Sequence, residues 1–218
     1  MEWFVIFLNT AVLLLIFHIY FGLPNVLYLC TVYKNFFLSS RRRKLKALEI
    51  SKLDSRAYLT WIDDNIHMNN GVYFSQFERG RRDWLWRTGC YAFWKKYQCS
   101  IVLTGLTARF RKEIGIFARF QVHTKLIYFD ELHLYLEQRI VSTANGFVHC
   151  IAYADLSLVN QTTGKRAKTA DFIRFIQLTE DEQKEMTAKC PQSLLHWLDY
   201  LKNSSSEIRA ESGLSPKK

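Results

Sequence analysis

Hydrophobic and polar positions change rhythm several times along the chain. From Trp3 to Leu23, WFVIFLNTAVLLLIFHIYFGL contains no Lys, Arg, Asp or Glu, and ~20 apolar residues at ~1.5 Å rise span a bilayer core. A transmembrane helix is predicted there. Leu45 to Tyr58 mixes charges with aliphatics, a short helix or a linker ahead of a first strand near Arg56 to Trp61. After Asn69, Tyr73, Phe77, Gly80 and Trp84 recur at spacings of three and four, with Glu78, Arg79, Arg82 and Asp83 elsewhere, as an amphipathic helix requires. Gly89 is a natural stop. From Cys99 to Asn160 long alternating segments rich in branched and aromatic residues, broken at Glu113 to Gly115, Phe129 to Glu131 and Asn145-Gly146, predict an antiparallel meander. Asn145-Gly146 suits a type I′ hairpin. Leu132, Leu134 and Leu136 alternate with His133, Tyr135 and Glu137, so one face is packed by the long helix and the other is partly polar. Phe172 to Ile176 reads as a last strand, Thr179 with Glu182 as a capping box, Gln192 to Tyr200 as one or two helical turns, and the Ser- and Lys-rich tail from Asn203 as mobile.

These rhythms divide the chain into an anchor with a basic flank (1–44), one globular domain (45–178) and a C-terminal helix with a tail (179–218). Hydrophobic residues are 49% of the chain, ample for a core even after the N-terminal run is set aside. Glu2 and the lack of an Ala-x-Ala pattern argue against a cleaved signal peptide. Arg41, Arg42, Arg43, Lys44 and Lys46, with Lys34 just before them, follow the apolar run, and the positive-inside rule then puts the domain in the cytosol behind a single-pass anchor. The same cluster suits anionic lipid head groups. The sequons at Asn160 and Asn203 point instead to a secreted or lumenal domain.

A net charge of +10 could serve nucleic acid, but no zinc-finger or RNA-binding signature is present, and acidic small molecules and membrane surfaces fit better. Cys30, Cys90, Cys99, Cys150 and Cys190 are odd in number and widely spaced, which suits reduced thiols. His123, His133 and His149 lie on separate segments without metal-ligand spacing. No metal and no cofactor is expected.

The richest chemistry lies in Trp61 to Arg87, where Asp63, Asp64, His67, Asn69 and Asn70 stand directly before the predicted helix. A helix start leaves N–H groups without intrahelical partners and carries the positive end of the macrodipole, so it can hold a developing oxyanion. The plain alternative is a solvated turn with Asn69 or Asn70 as N-cap, worth ~1 kcal/mol. Arg79, Arg81, Arg82 and Arg87, with Arg109, Arg111 and Lys112, could pair with phosphates or form solvated charged faces.

Asp63-x-x-x-His67-x-Asn69-Asn70-x-x-Tyr73, followed by Phe77-Glu78 and Arg81, resembles the signature of the 4-hydroxybenzoyl-CoA thioesterase-like hotdog family over roughly residues 50 to 178. The anchor, Asn145-Gly146-Phe147-Val148, His196-Trp197 and Glu211 to Ser215 are similar to a membrane-associated branch of that family. The resemblance implies an α+β hotdog fold, an antiparallel sheet wrapped around one long helix, here preceded by the transmembrane helix. It implies an acyl-CoA or related thioester as ligand, membrane lipids of the endoplasmic reticulum as surroundings and a homodimer, because hotdog sites are usually built across a subunit interface. Asp63 would be nucleophile or general base, the Asn70 N–H would polarise the carbonyl, His67 or Asn69 would orient the groups, and Tyr73 and Arg81 would contact substrate. Two positions depart from the pattern: Trp61 stands where many relatives carry a second acid, and Ile66 where Gly is common.

Overall fold

The computed structural model describes residues 41–213 continuously, together with 6–7, 9–15, 30, 33, 34, 37 and 39. The transmembrane helix expected over Trp3 to Leu23 lies largely outside them, and among the described residues no helix is long and apolar enough to cross a membrane.

The chain forms β1 (Ser51–Arg56), α1 (Asn70–Arg87), α2 (Cys90–Tyr97), β2 (Cys99–Phe110), β3 (Arg119–Phe129), β4 (His133–Ser142), β5 (Val148–Asn160), β6 (Arg166–Ala167), α3 (Ala170–Phe175), α4 (Glu180–Ala188) and α5 (Gln192–Glu211). The sheet is antiparallel in the order β1-β3-β4-β5-β2, with β6 on β5. The stripe read from the sequence is the buried one: Tyr73, Phe77, Gly80 and Trp84 all face inward from α1. Gly80 sets how closely helix and sheet approach, since a Cβ there would lie 2.6 Å from Val122 Cγ1. Beside it Gln138 donates to the Phe77 carbonyl at 2.8 Å and to Thr124 Oγ1 at 3.0 Å, so the centre of the sheet is tied to the helix by a satisfied buried amide. Gly89, at φ +86°, ends the helix as expected.

A second joint fixes the segment before β1. The Asp83 carboxylate, 1% exposed, accepts from Ser39 Oγ (2.6 Å), Arg42 Nη1 (3.0 Å), Arg87 Nη1 (3.3 Å) and Ser51 Oγ. Part of the basic flank is therefore a structural clamp on α1.

Four expectations need correction. The first strand is Ser51–Arg56, and Leu59–Trp61 is a 3-10 turn: β3 begins only at Arg119, opposite Arg56, and Ala57 makes the last rungs with Phe117 and Ala118, so the aromatic stretch after it has no strand to pair with. Residues 170–175 are helical because Phe172 and Ile173 turn together into the core, where Phe172 meets Phe93 ring to ring at 5.2 Å. The β4–β5 hairpin is real, but only Gly146 has positive φ, and the Thr143–Phe147 loop is closed by Ser142 N–H donating to the Phe147 carbonyl, so the turn is longer than type I′. The outer face of β4 is partly polar as read, and it is covered: Tyr135 and Glu137 are buried, and α5 lays Leu194 and Trp197 against Tyr135, Ile127 and Tyr153. Finally, Asn203 to Glu211 continue α5. The Thr179–Glu182 capping box forms as read.

Candidate active site

Residues Trp61 to Asn69 fold as a tight hairpin-like turn leading into α1. Asn69 N–H donates to the Trp61 carbonyl (2.8 Å), Asp63 N–H to the His67 carbonyl (3.0 Å), and Ile66 N–H to the Asp63 carbonyl (3.1 Å). Met68, 1% exposed, plugs the turn into the core, and its N–H donates to the Ile114 carbonyl at 2.8 Å. This closure forces Ile66 to φ +63°, a conformation costly for a β-branched residue.

The turn brings Asp63 and His67 together. Asp63 Oδ1 lies 3.4 Å from His67 Nδ1, without hydrogen-bond geometry, and accepts from the Asn65 N–H at 3.0 Å. Asp63 Oδ2 accepts no hydrogen bond among the described residues. One carboxylate oxygen is thus fixed and the other is open. Asn69 is the N-cap, its Oδ1 accepting from Gly71 N–H at 2.8 Å, which leaves the Asn70 N–H at the first helical position without a partner among the described residues.

Tyr73 lies beneath this group rather than on its wall. It is 2% exposed, and its ring meets Phe110 edge to face at 5.1 Å. Burial pushes its phenol up, with Cys150, Glu113 and Asp63 adding to the rise against a backbone hydrogen bond from Ile114, so the hydroxyl stays protonated. Asp63, His67, Asn69, Asn70 and Tyr73 therefore share one end of α1. Arg81 does not join them: eleven residues on, it stands about 16 Å along the helix, where its Nη1 donates to Gln138 Oε1 at 2.8 Å.

Of the other arginines of α1, Arg79 and Arg87 are also structural, while Arg82 belongs to a solvated charged face as read, its side chain 42% exposed. Arg79 bonds Gln76 (2.7 Å) and Ser55 (3.3 Å), Arg82 pairs with Glu78 (2.6 Å), and Arg87 with Asp83. Arg109, Arg111 and Lys112, by contrast, are exposed at the end of β2 beside Phe110, hence near Tyr73. The sequence reading gave Phe110 no role and Glu113 to Gly115 only that of a turn. The pairing of Met68 and His67 with Ile114 and Gly115 makes that turn the site's second wall.

A cavity of about 380 Å³ opens further along α1, against α2 and β2. Arg81, Leu85, Cys90 and Leu156 line it, with Tyr91 and Trp94 from α2.

A serine-based catalytic triad is excluded by geometry. His133 Nδ1 contacts both Asp155 Oδ1 (2.6 Å) and Ser157 Oγ (3.3 Å), while Nε2 faces Arg166 Nη1 (3.1 Å). A nucleophilic triad needs acid and serine on opposite ring nitrogens, and Ser157 is fully buried. Burial also pushes the Cys90 and Cys150 thiols up to about 12, which leaves neither as a thiolate at neutral pH. Among the described residues no group of three or more His, Cys, Asp or Glu could hold a metal ion.

The profile of the thioesterase-like superfamily matches residues 58–198, which includes the Asp63 turn, α1 and the sheet from β2 onward. The chain belongs to the thioesterase-like superfamily. Its similarity to Protein THEM6 of Xenopus laevis is 26% identity over 154 residues, 71% of this chain and 70% of that one. Protein THEM6 of Drosophila melanogaster is 28% identical over 145 residues, 66% and 69% of the two chains. Among solved structures, a probable thioesterase, YbaW of Escherichia coli, superposes with a TM-score of 0.55 at 17% identity, covering 61% of this thioesterase-like chain and 96% of its own. A DHNA-CoA thioesterase of Staphylococcus aureus gives 0.55 at 19%, covering 62% and 94%. At those identities the likeness establishes the hotdog fold alone.

Proposed function

We propose that this thioesterase-like protein hydrolyses a fatty acyl-CoA or related thioester at the start of α1. The observation that carries the reading is the Asp63 carboxylate, one oxygen held by Asn65 N–H and the other open, beside His67 and the unpartnered Asn70 N–H. The Asn70 amide, at the positive end of the helix dipole, polarises the thioester carbonyl. Asp63 Oδ2 attacks that carbon or takes a proton from an attacking water, while Asn65 N–H fixes Oδ1 and His67 Nδ1 lies 3.4 Å from it. In the base route the C–S bond breaks and the proton that Asp63 took from water passes to the leaving thiolate. In the nucleophilic route the thiolate leaves as an acyl–Asp63 anhydride forms, and water then cleaves that anhydride, releasing the acid and regenerating the carboxylate while the water's proton goes to the thiolate. Arg109, Arg111 and Lys112 supply positive charge for coenzyme A phosphates. The solved relatives support such a ligand: one is titled a DHNA-CoA thioesterase and another was determined in complex with CoA.

The same reading includes a homodimer and a single-pass anchor in the endoplasmic reticulum membrane with the domain in the cytosol. β2 ends the sheet and exposes Val102, Leu103 and Phe110 along its length, a surface suited to a second copy. Light scattering in detergent tests the dimer, and a glycan on Asn160 in cells would overturn the cytosolic topology in favour of a lumenal or secreted domain.

A second reading is a non-catalytic acyl- or lipid-binding scaffold. Trp61, in place of a second acid, and the strained Ile66 favour it. An acyl-CoA hydrolysis panel on parent and Asp63→Asn decides. Loss of at least 100-fold, the scale of general acid–base catalysis, with folding retained is expected. Equal rates would remove Asp63 from the chemistry, and tight binding without turnover in the parent would establish the scaffold.

A further inference from the structure

The aromatic surface of α2 and the basic flank before β1 are joined by direct contacts. Lys44 Nζ donates to the Trp86 carbonyl at 3.3 Å, the Trp86 ring stacks on Tyr91 at 4.4 Å, and Tyr91 meets Trp94 edge to face at 5.6 Å. Leu45 N–H donates to the Arg87 carbonyl at 2.9 Å, which holds the flank along the end of α1. Tyr91 is 46% exposed and Trp94 43%, with Lys95 and Lys96 exposed beside them. Arg41, Arg43 and Lys44 are exposed on the flank, Arg41 lying over Phe37 at 3.8 Å. A short helix that shows water two adjacent aromatics and two lysines, continuous with three more cations, has the composition of a membrane–water interface: amphipathic rings at head-group depth and basic groups against anionic lipid.

Tyr91 and Trp94 also line the cavity behind α2, whose floor includes the buried Cys90 and Leu156. Because these two rings are both lining and exposed, they mark its mouth. The mouth and the docking surface coincide.

We infer that α2 and residues 41–46 form a docking face for an anionic lipid surface, and that the cavity opens into that surface to take an acyl chain from the bilayer. The second half rests on the thioester reading; the docking face does not. It is also separate from the apolar N-terminal run, because it belongs to the folded domain. The charge argues for lipid over a second copy: Arg43 is paired with Glu49 at 3.1 Å, but Arg41, Lys44, Lys95 and Lys96 would confront their own symmetry mates.

The test uses the full chain reconstituted into phosphatidylcholine vesicles with and without a minor fraction of phosphatidylserine, in which bromine on the lipid acyl chains quenches tryptophan fluorescence. The difference in quenching between parent and Trp94→Phe reads Trp94 alone, whatever the N-terminal tryptophan contributes. A clear Trp94 share is expected in the anionic vesicles, reduced in phosphatidylcholine alone and in Lys95→Gln/Lys96→Gln, whose exposed side chains can be exchanged without disturbing the core. The Trp197→Phe control, against the sheet's other face, shows no such salt- and lipid-dependent share. Equal quenching in parent and Trp94→Phe overturns the docking face. If, in addition, Trp94→Ala shifts the oligomeric state, a second copy covers α2 instead. Either result leaves the Asp63 reading standing, since hydrolysis is not the readout, and a fully active Asp63→Asn would leave the quenching result untouched.

Discussion

Ile66 holds a left-handed backbone at the tip of the turn that carries Asp63, with its side chain 70% exposed. Strain of ~1–2 kcal/mol is expected for an L-residue there, whereas glycine pays ~0.5–1 kcal/mol in unfolded-state entropy. Ile66→Gly should therefore stabilise the domain by up to about 1 kcal/mol, read as a higher denaturant midpoint at unchanged slope. A lower midpoint would mean that Ile66 makes contacts worth more than its strain. The residue types of the site were legible in the sequence, because a polar cluster before an amphipathic run marks a helix start in any fold. Its second wall was not, since Ile114 and Gly115 reach the turn only through pairing between distant segments. Arg81 shows the converse: adjacency in a motif placed it with Asp63, while the rise of the helix carries it to another cavity.

At the scale of elements, the buried Asp83 joint makes a clear demand. Asp83→Ala leaves Arg87, 8% exposed, and the half-buried Arg42 without their carboxylate, and removing one partner of a buried pair costs ~3–5 kcal/mol. Asp83→Asn should cost less, because its Oδ1 still accepts from Ser39 while its Nδ2 can donate to the Ser51 hydroxyl. Equal losses in the two variants would show that the charge is not what matters. A pH effect belongs to β3. His123 stands opposite Lys52 on β1 and Arg139 on β4, and burial first, then those two cations, hold its pKa below the usual 6.5. The unfolded chain then binds the proton more readily, so stability should rise with pH up to about 6.5 and level off above it. His123→Asn should flatten that rise, as urea titrations across the range would show. The strands were readable because alternation survives burial on one face, and α1 because its period is strong. Residues 170–175 misled because a short apolar run carries no period of its own, and the end of α5 because extending a helix costs far less than starting one, even through Ser-rich sequence with few buried contacts.

For the whole molecule, the charge of +10 is unevenly employed. Arg79, Arg81 and Arg87 are spent on internal partners, whereas the flank before β1, α2 and the end of β2 carry exposed cations. No sum over composition could distinguish these uses, since it counts Arg81 and Lys96 alike. The Asp83 clamp carries a mechanical consequence. Ser39 and residues 41–45 are bolted to α1 at Asp83, Trp86 and Arg87, so over these residues the approach to the sheet is a bracket and not a tether. Force applied to the chain at Arg41 would therefore pass into α1 at Asp83 before it reached the edge strand β1.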